Sequence, residues 1–383
     1  MNESDRRIPS DEVSRRNATW ELLSRAADRT GFVPFDRFME VALYGEGVGF
    51  YTRPDSLFGR EGDYYTAAHA SPLFARAVAE RVRSALATIP PEVPARILEV
   101  GPGDGTLAEG ILTGLGTSTG VRPATEYVLV ERSPTLSQAA FDRASTAARP
   151  FGVPVRTIES VAAEGPFHGI VLANELLDAQ PVRRLVWNGR EWQETGVRWT
   201  GTRFVPASVP CRRTVPSPSL PPDLPPGTTV EVSPMAEALV REVADHLASG
   251  LLLILDYGME ESELVSAHPT GTLAAIRRHR YVDDPLADPG SADLSVFVNF
   301  SRVRAVARAA GLTEVAFRRQ AEALGEWGFP RLLEEAARVA PSPEAEVRLR
   351  LGAKNLVFGF ERFYALELVP PLPAGSPPSA PVT

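Results

Sequence analysis

RILEVGPGDGTL, residues 96–107, reads as a short apolar strand running straight into Gly101, Gly103 and Gly105. Glycine accepts backbone angles closed to other residues and lets main-chain N–H groups come close to a ligand. In doubly wound α/β sheets, a turn of this kind at a strand's carboxyl end holds a nucleotide-like ligand. The spacing here is G-x-G-x-G, not the G-x-G-x-x-G of dinucleotide folds, and Glu99 stands just before it. A carboxylate in that place disfavours a pyrophosphate and favours a cation. S-adenosylmethionine (SAM), with its ammonium and sulfonium, fits Glu99 and the neighbouring Asp104.

The rest of the chain supplies the sheet such a turn needs. EYVLVE (126–131), VPVRTI (153–158), HGIVLAN (168–174) and LLLILDYG (251–258) are further apolar runs separated by helical stretches. That alternation predicts a parallel sheet covered on both faces. Glu131 ends the second strand, where a carboxylate accepts hydrogen bonds from two ribose hydroxyls. After the third strand, Glu159 or Ser160 is placed for the adenine edge. After the fourth, Asn174, Glu175 and Asp178 face the same crevice. Glu175 and Asp178, three residues apart, share a face if a helical turn begins there. Together they could align a basic nucleophile such as an amine or guanidinium.

Composition narrows the partners. The 383 residues are 44% hydrophobic and 23% charged, with a net charge of −8. That balance argues against a general nucleic-acid binder and suits a cationic partner. The single cysteine, Cys211, leaves no internal disulfide and no thiolate-built zinc site. No metal is expected. The N-terminus lacks an apolar signal core, and the longest apolar run, LLLIL, is too short to span a bilayer. A cytoplasmic location without membrane contact is the expectation, and a homodimer is compatible with it.

Residues 1–90 read as a helical N-terminal segment, with helices over 11–29, after FVPF, and over 72–87. The nucleotide-binding core occupies 91–182, 229–260 and 299–368. Within 183–228, Asn188-Gly189 marks a tight hairpin and a proline-rich stretch follows it. Residues 261–298 form a second, lid-like insertion. The C-terminal part supplies a final helix and an antiparallel strand pair, and the tail 369–383 is expected to be disordered.

Five segments in order also carry a resemblance: GREGDYYTAAHASPLFARAVA (59–79), LEVGPGDGTLAEGIL, ANELLDAQPV, LILDYG, and GTLAAIRRHRYVDDPLADPGSADLSVFVNFS (271–301). On these the chain resembles the MidA-like methyltransferases, relatives of the mitochondrial complex I assembly arginine methyltransferase. The resemblance implies a class I methyltransferase sheet, Rossmann-like, seven-stranded and mostly parallel, with a helical N-terminal part and two insertions. It implies SAM as cofactor, and Asp63 and Thr66 as part of a loop over the cofactor's methionine end. The chain departs from the family at Ala68-His69, where Pro-Glu is common, and at Asn299, where aspartate is usual. His69 at an acidic position is a candidate base, beside Glu175 and Asp178 as catalytic acids. Tyr257, Arg278 and His279 complete the expected substrate-binding set. The implied reaction is methyl transfer to nitrogen or oxygen, on a protein arginine or on a small molecule. A SAM-binding assembly factor without activity is the further alternative.

Overall fold

The computed structural model describes residues 10–52, 66–116, 126–212, 220 and 223–371. Its centre is a sheet of β1 (Ala95–Val100), β2 (Glu126–Val130), β3 (Val155–Ile158), β4 (Phe167–Asn174), β5 (Leu247–Met259), β6 (Thr313–Arg319) and β7 (Phe363–Val369). Their spatial order is β3-β2-β1-β4-β5-β7-β6. Strands β1 to β5 run parallel, and β7 is antiparallel to both β5 and β6. Val298–Asn299 adds a short eighth strand along the end of β5. The chain winds away from β1 in two directions, toward β2 and toward β4. That divergence opens a crevice at the strands' carboxyl ends.

Both sheet faces are apolar because both are covered. Ile97, Leu129, Ile170 and Leu253 join one core with helices α2 (Pro72–Leu86), α3 (Thr106–Gly116) and α4 (Pro134–Ala148). Leu98, Val128, Val171 and Leu252 join the opposite core with α5 (Pro234–His246) and α6 (Phe300–Ala309). Three of these helices start on a Ser-Pro pair, at Ser71, Ser133 and Ser233, and in each the serine oxygen accepts a first-turn N–H. Proline costs nothing at a helix's first position, where its missing N–H is unneeded.

Over the crevice sits a cap made from three separate stretches. Phe32–Pro34 pairs with Trp192–Trp199, which also pairs with Arg183–Trp187 and Phe204–Pro210. Thr229–Val232 closes this sheet against Arg183–Trp187, so the chain returns to the core at α5. Ala274–Arg277, Arg280–Tyr281 and Asp293–Ser295 form a smaller sheet. Phe38, Leu43, Phe50, Val197, Phe204, Ala275 and Leu294 share one buried core, which welds the N-terminal segment to both insertions.

Several local expectations change. The first helix, α1 (Ser10–Leu23), stops short of Arg29. The hairpin at Asn188-Gly189 is a four-residue loop closed by the Trp187–Trp192 pair. There the Asn188 side chain takes the N–H groups of Arg190 and Glu191, bending the chain wider than a two-residue turn. The final helix expected over SRVRAVARAAGL is α6. Three further helices not expected from the sequence, Gln320–Glu326, Phe329–Arg338 and Pro343–Phe358, fill the span between β6 and β7. Most of the tail, 372–383, lies outside the described residues.

Candidate functional site

At the carboxyl ends of β1, β2 and β4 lies a cavity of about 290 Å³. Gly101, Gly103 and Gly105 all take positive φ, at 66°, 57° and 81°. Gly101 and Gly103 line the cavity, whereas Gly105 does not. A Cβ on Gly105 would fall 2.8 Å from the Ala140 Cα, so this glycine lets the turn pack onto α4. The expected place of Gly105 at the cofactor is not seen in the cavity lining; what the structure gives it is a packing role.

Three acids frame the turn. Glu99 is 2% exposed and accepts a 2.5 Å hydrogen bond from the Tyr127 hydroxyl. Burial pushes its pKa up to about 8, against that hydrogen bond and with help from the charge of Asp104. Asp104 goes the other way. Burial works to raise it, but hydrogen bonds from His69 and Thr106 and the charges of His69 and Arg143 hold it at about 2. Glu131, at the end of β2, lines the cavity and accepts the Ser133 N–H at 2.8 Å. Burial raises it too. Beyond β3, both Glu159 and Ser160 face the cavity, opposite Met235 and Leu239 of α5.

His69 stands over the glycine turn. Its Nδ1 meets the Thr66 hydroxyl at 2.7 Å, and its Nε2 is 3.4 Å from both Asp104 and Thr106. Both ring nitrogens thus tie the segment at Thr66 to the turn. His69 is an anchor here, and it lines the same cavity as Glu175, whose carboxylate holds the short helix that carries His69. Asp63 lies outside the described residues.

The end of β4 differs most from expectation. Asn174 lines the cavity, and its buried Oδ1 has no hydrogen-bond partner among the described residues. Glu175 takes φ 48°, a left-handed conformation unusual for a residue with a Cβ. Its carboxylate accepts the Ala67 N–H at 2.7 Å, holding the short helix Ala67–Ala70 against the strand end. No helical turn follows. Instead the Asp256 carboxylate takes the N–H groups of Leu176 and Leu177, and the chain swings Asp178 away from Glu175. Asp178 is fully buried behind Ala179, and Tyr257 is packed beside it instead of lining the cavity. Arg278 and His279 also fall elsewhere. They form an exposed two-residue hairpin tip with φ of 49° and 59° and do not line the cavity. Asn299 caps α6 through the Arg302 N–H and donates to Glu261.

The donor set suits a cationic nucleotide-like cofactor. A buried acid near neutrality, an acid at the end of the second strand and an orphaned Asn174 carbonyl all meet one cavity. Residues 74–317 match the model of an S-adenosyl-L-methionine-dependent methyltransferase family. This chain belongs to that family. The methyltransferase is 31% identical to the mitochondrial protein arginine methyltransferase NDUFAF7 homolog of Drosophila melanogaster, over 74% of this chain and 68% of that one. The mitochondrial protein arginine methyltransferase NDUFAF7 of Danio rerio is 29% identical, over 73% and 69%. A crystal structure of a protein from Burkholderia thailandensis described as a "likely methyl transferase", bound to S-adenosyl-homocysteine, superposes with a TM-score of 0.83. It shares 31% identity, with 95% of each chain covered.

Sequence reasoning missed several groups in this methyltransferase. Tyr44 and Tyr51 line the cavity from the cap, their rings stacked at 5.4 Å. Asp256 and Asp293 are buried close to Asp178. The aspartate in LILDYG was in plain view, but an acid after an apolar strand looks the same whether it holds backbone or ligand. Asp293 had no local signal at all.

Proposed function

We propose that this methyltransferase transfers the methyl group of SAM to a nitrogen of a protein arginine. The observation that carries this is that two buried acids, Asp178 and Asp293, both bear on the hydroxyl of the cavity-lining Tyr51. Buried acids ask for a cation. The relatives named as arginine methyltransferases support the same reading. In this reading Glu131 accepts the ribose hydroxyls, Glu99 faces the methionine ammonium, and Glu159 with Ser160 meets the adenine edge. Thr66 and His69 hold the N-terminal segment down on the glycine turn, and Asn174 offers its free carbonyl.

Bound SAM supplies an electrophilic methyl on a positive sulfur. The chain's part is to align the nucleophile, exclude water and take up a proton. Tyr44, Tyr51 and the turn at Glu175 close the cavity on the side where a nucleophile would enter.

A small-molecule acceptor keeps one observation in its favour, the aromatic wall of Tyr44 and Tyr51. A cytoplasmic location is likewise our proposal, beside relatives whose names place them in mitochondria. The test uses methyl-labelled SAM and an extract of cells lacking this chain. Acid hydrolysis of the labelled protein should release methylarginine. Label confined to small molecules, or to another amino acid, overturns the reading.

A further inference from the structure

Behind the cavity lining of Tyr51 and Ala179, three acids from three parts of the chain are buried within electrostatic reach of the Tyr51 and Tyr257 hydroxyls or of one another. Asp178 and Asp256 are 0% exposed, and Asp293 is 1% exposed. Asp256 is spent on the backbone: Oδ2 accepts from Leu176 and Leu177, and Oδ1 from the Tyr257 N–H. Asp293 Oδ1 accepts the Tyr51 hydroxyl at 2.8 Å. Asp178 is different. The Tyr257 hydroxyl and the Ala179 N–H lie near enough to hold its pKa down against burial, but among the described residues neither of its oxygens has a hydrogen bond of ordinary geometry.

Among the described residues, the groups named around these acids add no positive charge of their own. Tyr44 and Tyr51 come from the N-terminal segment, Asp178 and Glu175 from the β4 turn, Asp256 and Tyr257 from β5, and Asp293 and Ser295 from the second insertion. The charges that bear on Asp256 are Asp178 and Glu175, both acids. Arg132 is held on the cavity side, stacked 4.5 Å from the Tyr44 ring. A buried acid with no partner is costly, and such a group beside a cavity is completed by what enters. The two segments are tied together through the backbone, since Val296, just past the Asp293–Ser295 strand, donates its N–H to the Asp178 main-chain carbonyl at 3.0 Å. Paired carboxyls match a planar guanidinium, which offers a fork of N–H donors.

We propose that Asp178 and Asp293 form the subsite for the acceptor's guanidinium, that Tyr51 is its door, and that Asp178 takes the proton released on methylation. This rests on the arginine reading above. Tyr51 must turn off Asp293 for the acceptor to enter, and its hydroxyl then loses one partner while Asp293 gains the guanidinium. A guanidinium nitrogen forms the new bond to carbon as the carbon–sulfur bond breaks, and sulfur keeps that electron pair. The nitrogen's proton passes to the Asp178 carboxylate, so the methylated guanidinium leaves with its single positive charge. Burial pushes Asp178 up to about 6, against the Tyr257 hydroxyl and nearby N–H groups, which suits a proton acceptor near neutrality.

The test saturates the protein with S-adenosylhomocysteine and titrates methylguanidinium by calorimetry, with N-methylurea as the neutral control. Methylguanidinium should bind and N-methylurea should not. Asp178→Asn and Asp293→Asn should each weaken that binding at least tenfold, with S-adenosylhomocysteine affinity changed less than twofold. Asp178→Asn should also raise the melting temperature, because an unpaired buried acid is gone; if it fails to fold, Asp293→Asn carries the binding test alone. Turnover of the wild type should rise with pH through about 6, and Asp293→Asn should keep that profile at a raised KM. Unchanged methylguanidinium binding in both variants overturns the subsite. Methylarginine formed by Asp293→Asn with the wild-type KM for the acceptor also overturns it, while leaving the arginine reading intact.

Discussion

The two walls of the cavity are built in opposite ways. The glycine-turn wall comes mostly from β1, β2 and the loops that follow them, and its acids have partners. Glu99 has Tyr127, Glu131 has the Ser133 N–H, and Asp104 has the Thr106 N–H, His69 and Arg143. The opposite wall takes Tyr44 and Tyr51 from the N-terminal segment, Ala179 from the β4 turn and, behind them, Asp293 from the second insertion. Its central acid, Asp178, has no closed hydrogen bond among the described residues. A wall whose polar groups are already satisfied is organised before the ligand arrives. A wall that leaves one unsatisfied gives up stability until something fills it.

The largest break in this contrast should come at Gly105. Replacing it with alanine forces a Cβ into φ 81° and to within 2.8 Å of the Ala140 Cα, with no flexible side chain there to yield. We expect a loss of about 2–4 kcal/mol in a denaturant titration. The cofactor wall would move as a unit, and S-adenosylhomocysteine binding would weaken with it. A variant as stable as wild type would mean that the turn does not depend on its seat against α4.

Next in size is the pH response of Glu99. Its folded-state pKa, near 8, lies above its ordinary 4.5, so the folded protein holds a proton that the unfolded chain has lost across that window. Native stability therefore falls as pH rises from about 4.5 to 8. A cationic ligand reverses the sign for binding, because it favours the ionised acid. SAM affinity should rise with pH up to about 8 by at most roughly tenfold per unit, then level off. Calorimetry in buffers of different ionisation enthalpy should show a proton released on binding at pH 7. Glu99→Gln should flatten the pH dependence. If it persists in that variant, the proton comes from elsewhere, Glu131 being the next buried acid.

These walls were unequally legible in the sequence. Strand, glycines and flanking acids lie within a dozen residues, and local spacing carried the turn, Glu99, Glu131 and Asn174 to the cavity. The β4 turn failed because a three-residue interval implies a shared face only in a helix. The positive φ of Glu175 and the capture of two N–H groups by Asp256 prevented a helix there. Arg278 and His279 drew attention as a basic cluster, but their place at a hairpin tip depends on pairing between Ala274–Arg277 and Arg280–Tyr281. The partnership of Tyr51 with Asp293 spans 242 positions, and no local pattern announces it.

The smallest expected effect tests the joint between the walls. Ser133 begins α4, where its oxygen accepts the Leu136 N–H at 3.4 Å, and its hydroxyl donates to the Tyr51 carbonyl at 3.0 Å. One side chain thus caps a helix of the cofactor wall and pins the backbone of the acceptor wall. The neighbouring Glu131 takes the Ser133 N–H, which alanine would preserve. Ser133→Ala should therefore cost about 1 kcal/mol of stability, the ordinary value of a cap. S-adenosylhomocysteine affinity should change little. If Tyr51 is the door, loosening its carbonyl should let methylguanidinium in faster, seen as a raised association rate in stopped-flow measurements. A stability loss with no change in that rate would mean that the two walls stand independently, and that Tyr51 is held by its stacking on Tyr44 and its bond to Asp293.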